Sequence, residues 1–137
     1  FIKQGEAVGL ACNGQLNVTL PVERGERQLG KILEGLAYLE AKAKISISTL
    51  VNMDIQHISR GSTVILITTN RTDALSVSVE LLLKKNFHPI IILIDNGSFG
   101  GEVTNSDDYH RLLTANIPVI TLKKGDDIKK CLEITIG

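Results

Sequence analysis

Few residues in this 137-residue chain have types and spacings that could do chemistry. Two carboxylate pairs, Asp107-Asp108 and Asp126-Asp127, could serve acid–base work, and Gly97-Ser98-Phe99-Gly100-Gly101 could cradle a phosphate. Each has a plainer reading. The acid pairs stand where helices are expected to begin, and there capping and the helix dipole account for them. The glycine run fits neither the dinucleotide pattern G-x-G-x-x-G nor the phosphate-loop pattern ending in Gly-Lys-Ser/Thr. No serine lies in a G-x-S-x-G elbow, so a hydrolase nucleophile has no support. Cys12 and Cys131 are far apart, and no Cys or His neighbour lies at metal-ligand spacing. They read as two buried, reduced thiols, and His57, His88 and His110 as structural or surface residues.

In an open α/β sheet, ligands and partners meet the carboxyl ends of the strands. The residues expected there are Thr68, Thr69 and Asn70, then Asp95, Asn96 and Gly97, then Lys123, Lys124 and Gly125. Asp95-Asn96-Gly97 has the composition of an Asx turn, and the loop 96–105 that of a mobile surface loop. The candidate interaction edge is therefore Thr69, Asn70, Asp95, Asn96, Gly97 and Phe99. No catalytic, cofactor-binding or metal-ligating residue is assigned.

The elements that must position this edge follow from composition and periodicity. The chain is 43% hydrophobic, with 15 basic and 15 acidic residues. That is ample for a packed core and excludes disorder, and the missing basic excess argues against nucleic acid. No apolar run reaches the roughly 18 residues of a membrane span. Residues 7–12 and 16–22 read as strands joined at Asn13-Gly14 in a tight turn that needs two positive φ values. A helix over 26–41 carries Leu29, Leu33, Leu36 and Ala37 as the stripe expected to pack on a sheet. A second helix spans 47–59. Strands at 63–69, 89–95 and 118–122 are continuous apolar runs, as in parallel sheets buried on both faces. Helices at 73–86, 106–115 and 126–132 alternate with them, the first with Leu75, Val79, Leu82 and Leu83 as its stripe. The fold class is α/β: a three-layer, mostly parallel sheet with helices on both faces and an N-terminal β-hairpin, in a single domain over residues 1–137.

The hairpin AVGLACNGQLNVTLPV, the following RGERQLGKILEGLAYLE and the later SRGSTVILITT resemble the C-terminal part of the domain of unknown function 58 family. That family is similar to the von Willebrand factor type A fold. The resemblance rests on Val8-Gly9-Leu10, Arg24-Gly25, Leu36-Ala37-Tyr38-Leu39-Glu40 and Arg60-Gly61-Ser62. It implies a truncated type A domain lacking its first strand, with sheet order 3-2-1-4-5-6 and the hairpin as strands 2 and 3. The hairpin is then expected to close onto the strand at 63–69, or another chain to pair there, since neither edge should stay open; homo-oligomers through exposed sheet edges are the corollary. The family's divalent-ion site uses D-x-S-x-S, a loop Thr and a strand-end Asp. By the resemblance, the first is absent here, Ile45 or one of its neighbours stands in place of the second and Thr69 in place of the third. The site is read as degenerate and no Mg²⁺ is expected.

The functional expectation is a non-catalytic protein-interaction module, not an enzyme. Its partner, by the resemblance, is a MoxR-type AAA ATPase, with neither cofactor nor nucleic acid. The alternative is a small-ligand-binding or hydrolytic enzyme on a doubly wound sheet, using Asp95 and the Gly97–Gly101 loop. The expected location is cytoplasmic, either free or as the soluble part of a membrane-anchored protein whose anchor lies upstream.

Overall fold

The computed structural model describes residues 1–69, 73–102, 112 and 115–136. It contains two compact units, Phe1–Ile58 and Ser59–Gly137. Among the described residues the strands form two sheets, an antiparallel pair β1-β2 and a parallel sheet in the order β3-β4-β5. The α/β class and the helix-flanked parallel sheet are as expected. Among the described residues the single sheet with the hairpin as its second and third strands is not formed, and β1 and β2 pair only with each other there.

In the first unit, β1 (Val8–Asn13) and β2 (Asn17–Glu23) form the expected hairpin, with a bulge at Gly9 between Val8 and Leu10. The turn differs from expectation, because neither Asn13 nor Gly14 has a positive φ. Gly14 donates to the Leu16 carbonyl (3.0 Å), and Gly14-Gln15-Leu16 make a three-residue loop. Glycine is needed there for space: a Cβ on Gly14 would fall on the Glu40 carbonyl oxygen and the Leu39 side chain. The turn is tied to the same segment by polar bonds. The Gln15 amide donates to the Tyr38 carbonyl (2.6 Å) and accepts from Glu40 N–H (2.8 Å), and Asn13 Oδ1 accepts from Lys44 N–H (2.7 Å).

Helix α1 (Glu26–Tyr38) follows Gly25 and is shorter than predicted. Its packing side also differs from the predicted stripe. Gln28 is 1% exposed, whereas Leu33 is 58% and Leu36 is 46% exposed. The Gln28 amide nitrogen donates to the Val8 carbonyl (2.7 Å) and the Pro21 carbonyl (2.8 Å), so one side chain joins both strands of the hairpin. Gly35 lets β2 approach, with Val18 Cγ1 at 3.3 Å from where a Cβ would be. These contacts fix the helix by its Gln28 and Gly35 side and leave Leu33 and Leu36 outward, with Leu29 half-buried. Helix α2 (Ile47–Asp54) starts at Ser46, whose hydroxyl accepts from Thr49 N–H (3.2 Å). This cap holds a helix that its β-branched start disfavours. A 3-10 turn, Ile55–His57, continues it.

In the second unit, β3 (Thr63–Thr68), β4 (His88–Ile94) and β5 (Val119–Leu122) are the three predicted apolar runs, all parallel. Helix α3 (Asp73–Lys84) buries Leu75, Val79 and Leu82 as predicted and leaves Leu83 exposed. It stops because Asn86 enters the left-handed region (φ 64°), with Phe87 N–H returning to the Leu82 carbonyl (3.0 Å). Helix α4 (Ile128–Ile136) starts later and ends later than predicted. Asp127 caps it through the Lys130 N–H (3.2 Å). The neighbouring acid does something else: Asp126 accepts from Lys123 N–H (2.7 Å) and closes a turn. The helix expected over 106–115, with Asp107-Asp108, lies outside the described residues, apart from Leu112, which is buried, and Ala115, which is exposed in a turn.

The register puts Val64, Leu66, Ile91 and Leu93 on one face of the parallel sheet and Ile65, Ile67, Ile90 and Ile92 on the other. The first face is closed, with Leu66, Ile91 and Leu93 buried. On the second, burial is incomplete along β3, where Ile67 is 62% exposed.

Candidate interaction edge

The carboxyl ends of the parallel strands are the part of the second unit where loops come together. Thr69 lies exposed just beyond β3; Asn70 lies outside the described residues. Asp95 follows β4 and still belongs to the ladder, its N–H donating to the Leu122 carbonyl (2.8 Å). The next residues, Asn96–Phe99, form one 3-10 turn, which ends at Gly100 (φ 87°). A left-handed residue is required there, and glycine adopts that conformation without strain.

The turn is built around Ser98. Its N–H (3.1 Å) and its hydroxyl (2.8 Å) both donate to the Asp95 carbonyl. The same hydroxyl accepts from Lys124 N–H (2.9 Å). One side chain therefore fixes the loop after β4 to the loop after β5. Gly101 N–H donates to the Asn96 carbonyl (2.9 Å), and a Cβ on Gly101 would displace the Asn96 side-chain amide. Two elements of separate sequence are locked into one rim by these bonds. Asn96 and Phe99 are exposed on it, and so are Lys123 and Lys124. Phe99 is 55% exposed.

Of the predicted edge residues, Asp95, Asn96, Gly97 and Phe99 are brought together on this turn, and Thr69 directly follows the neighbouring strand β3. Sequence reasoning set aside Ser98 as a poor nucleophile and missed its role as a brace. No local motif signals it, since its partner Lys124 is 26 positions away. Lys123 and Lys124 were legible as strand-end residues but not as members of this rim.

The glycine loop does not present a phosphate cradle. The N–H groups of Ser98, Gly100 and Gly101 are turned onto the carbonyls of Asp95, Gly97 and Asn96, so they are not aimed at an external anion. Ile45 is half-buried in the first unit. Among the described residues, no group of three or more His, Cys, Asp or Glu is placed to hold a metal ion. Neither Cys12 nor Cys131 is in a disulfide, and each is partly exposed where burial was expected. Among the described residues no helix is long and apolar enough to cross a membrane. In comparisons with family models, curated proteins and solved structures, none matches this chain.

Proposed function

We propose that this chain is a non-catalytic protein-interaction module of the type A kind. Its contact edge is the rim formed by Thr69, the Asp95–Phe99 turn and the Lys123-Lys124 loop. The observation that carries this reading is Phe99, an aromatic ring 55% exposed at the tip of a turn that Ser98 holds rigid. An exposed aromatic on a rigid loop loses little conformational freedom on binding, and aromatics of this sort dominate protein interfaces. The lysines beside it give the surface a polar, cationic border. The partner suggested by the family resemblance is a MoxR-type AAA ATPase. The location proposed is the cytoplasm, with the chain either free or as the soluble part of a membrane-anchored protein.

The test is binding of the chain to the MoxR-type ATPase of the same organism, measured by biolayer interferometry. Phe99→Ala should weaken binding by roughly tenfold or more, the effect expected of an interfacial hot spot. Unchanged binding by this variant would remove the assigned edge. A thermal shift of several degrees with a nucleotide or a divalent cation would favour a small-ligand function instead.

A further inference from the structure

The strands of the two sheets differ in how their open edges are guarded. Free edges of natural sheets are protected by charge, proline, bulges or short length. In the hairpin, β1 is bulged at Gly9, and β2 carries Pro21 and Glu23. At one side of the parallel sheet, β5 is four residues long and runs into Lys123-Lys124. At the other side, β3 has none of these devices. Its sequence is Thr-Val-Ile-Leu-Ile-Thr, and among the described residues its one strand partner is β4.

The ladder parity shows which peptide groups face that open edge. His88 N–H donates to the Ser62 carbonyl (3.0 Å), so the even-numbered residues of β3 turn toward β4. Thr63, Ile65 and Ile67 therefore turn their peptide groups outward. The same residues share one face of the sheet, the face on which Ile67 is 62% exposed.

We infer that β3 is a dimerisation edge that pairs antiparallel with β3 of a second copy of this chain. A two-fold axis normal to the sheet at Ile65 sets the two Ile65 residues opposite each other and Thr63 opposite Ile67 of the second copy. All the outward peptide groups then meet outward peptide groups, and each exposed Ile67 gains a cross-strand neighbour. The product is one continuous sheet, β5-β4-β3-β3-β4-β5. A second copy fits this edge because two-fold pairing sets Ile65 against Ile65 and Thr63 against Ile67, with no charged residue on either strand. An edge with charge would repel itself, but every residue from Thr63 to Thr68 is uncharged. The chain as a whole carries 15 basic and 15 acidic residues, so two copies meet without net repulsion.

The experiment is sedimentation velocity and light scattering on the 137-residue chain at tens of micromolar. The expected mass is twice the 14.9 kDa of one chain. Ile65→Pro removes a peptide donor that β4 does not use, so the parallel sheet survives while edge pairing is lost. Ile65→Lys places like charges across the axis. Both variants should run at half the wild-type mass with unchanged far-ultraviolet circular dichroism, and Phe99→Ala should remain dimeric. A monomeric wild-type chain, or a dimer that persists in both folded Ile65 variants, would overturn the inference. So would a dimer that dissociates on Phe99→Ala.

Discussion

The Ser98 hydroxyl lies 2.9 Å from the Lys124 peptide nitrogen and 2.8 Å from the Asp95 carbonyl oxygen, accepting from the first and donating to the second. This single group couples two strand-end loops, and the exposure of Phe99 has functional meaning only if that coupling keeps the turn in place.

Replacing Ser98 with Ala removes both bonds without adding bulk. The stability cost is expected to be about 1 kcal/mol, since the site is half-exposed and water can replace part of what is lost. The local effect is larger than the global one. Amide exchange at Lys124 should accelerate in Ser98→Ala, while exchange at Ile91 and Leu93 in the sheet centre stays as in wild type. Equal protection of Lys124 in the two proteins would show that the hydroxyl is not what joins the loops.

Leu33 and Leu75 belong to two apolar helical stripes of the same spacing, yet Leu33 is 58% exposed and Leu75 is fully buried. Leu33→Lys should change stability by no more than about 0.5 kcal/mol, as for surface substitutions generally. Leu75→Ala should cost about 2–5 kcal/mol, because it opens a cavity in a closed core. Urea unfolding of the two variants checks the contrast, and a cost above about 2 kcal/mol for Leu33→Lys would mean that the predicted stripe of α1 is its packing face after all.

That contrast shows where the sequence was readable. The parallel strands were legible because strands of a helix-covered parallel sheet are near-continuous apolar runs, as 64–67, 89–94 and 119–120 are, although β3 leaves Ile67 62% exposed. The α3 stripe was legible because its periodicity and its packing coincide. On α1 they do not. A binary pattern scores Gln28 as polar and therefore outward, but its amide bonds to Val8 and Pro21 make it the most buried side chain of that helix. The candidate edge was legible as a set of strand ends, since topology alone places them. Its rigidity was not, because a bond between Ser98 and Lys124 leaves no trace in local spacing.

Gly14 was also assigned correctly for the wrong reason. The Asn13-Gly14 pair marked the hairpin, but the constraint is steric and comes from Leu39 and Glu40. Gly14→Ala is therefore expected to cost about 1–3 kcal/mol through overpacking against backbone. A turn limited by positive φ would instead accept Asn at this position, because Asn tolerates the left-handed region. Gly14→Asn should be at least as damaging as Gly14→Ala, and thermal unfolding of the pair decides between the two accounts. A variant Gly14→Asn as stable as wild type would restore the φ-based explanation.

Burial pushes the Cys12 thiol above its ordinary pKa of 9.0, since removal from water penalises the thiolate. The charged form is the deprotonated one, so the folded chain holds its proton to higher pH than the unfolded chain does. The contribution to stability is complete below the unfolded value, declines as pH rises past 9.0, and is gone above the raised folded value. In the wild-type chain, stability should therefore fall more steeply between pH 8.5 and 10 than in Cys12→Ala, and the two curves should run parallel below pH 8, where both thiol states are protonated. Alkylation gives an independent reading. At pH 8 the folded Cys12 should react with iodoacetamide more slowly than the same thiol in denaturant, because the reagent attacks the thiolate. Equal rates, or a stability curve unaffected by Cys12→Ala above pH 9, would show that the thiol is not held in a desolvated site.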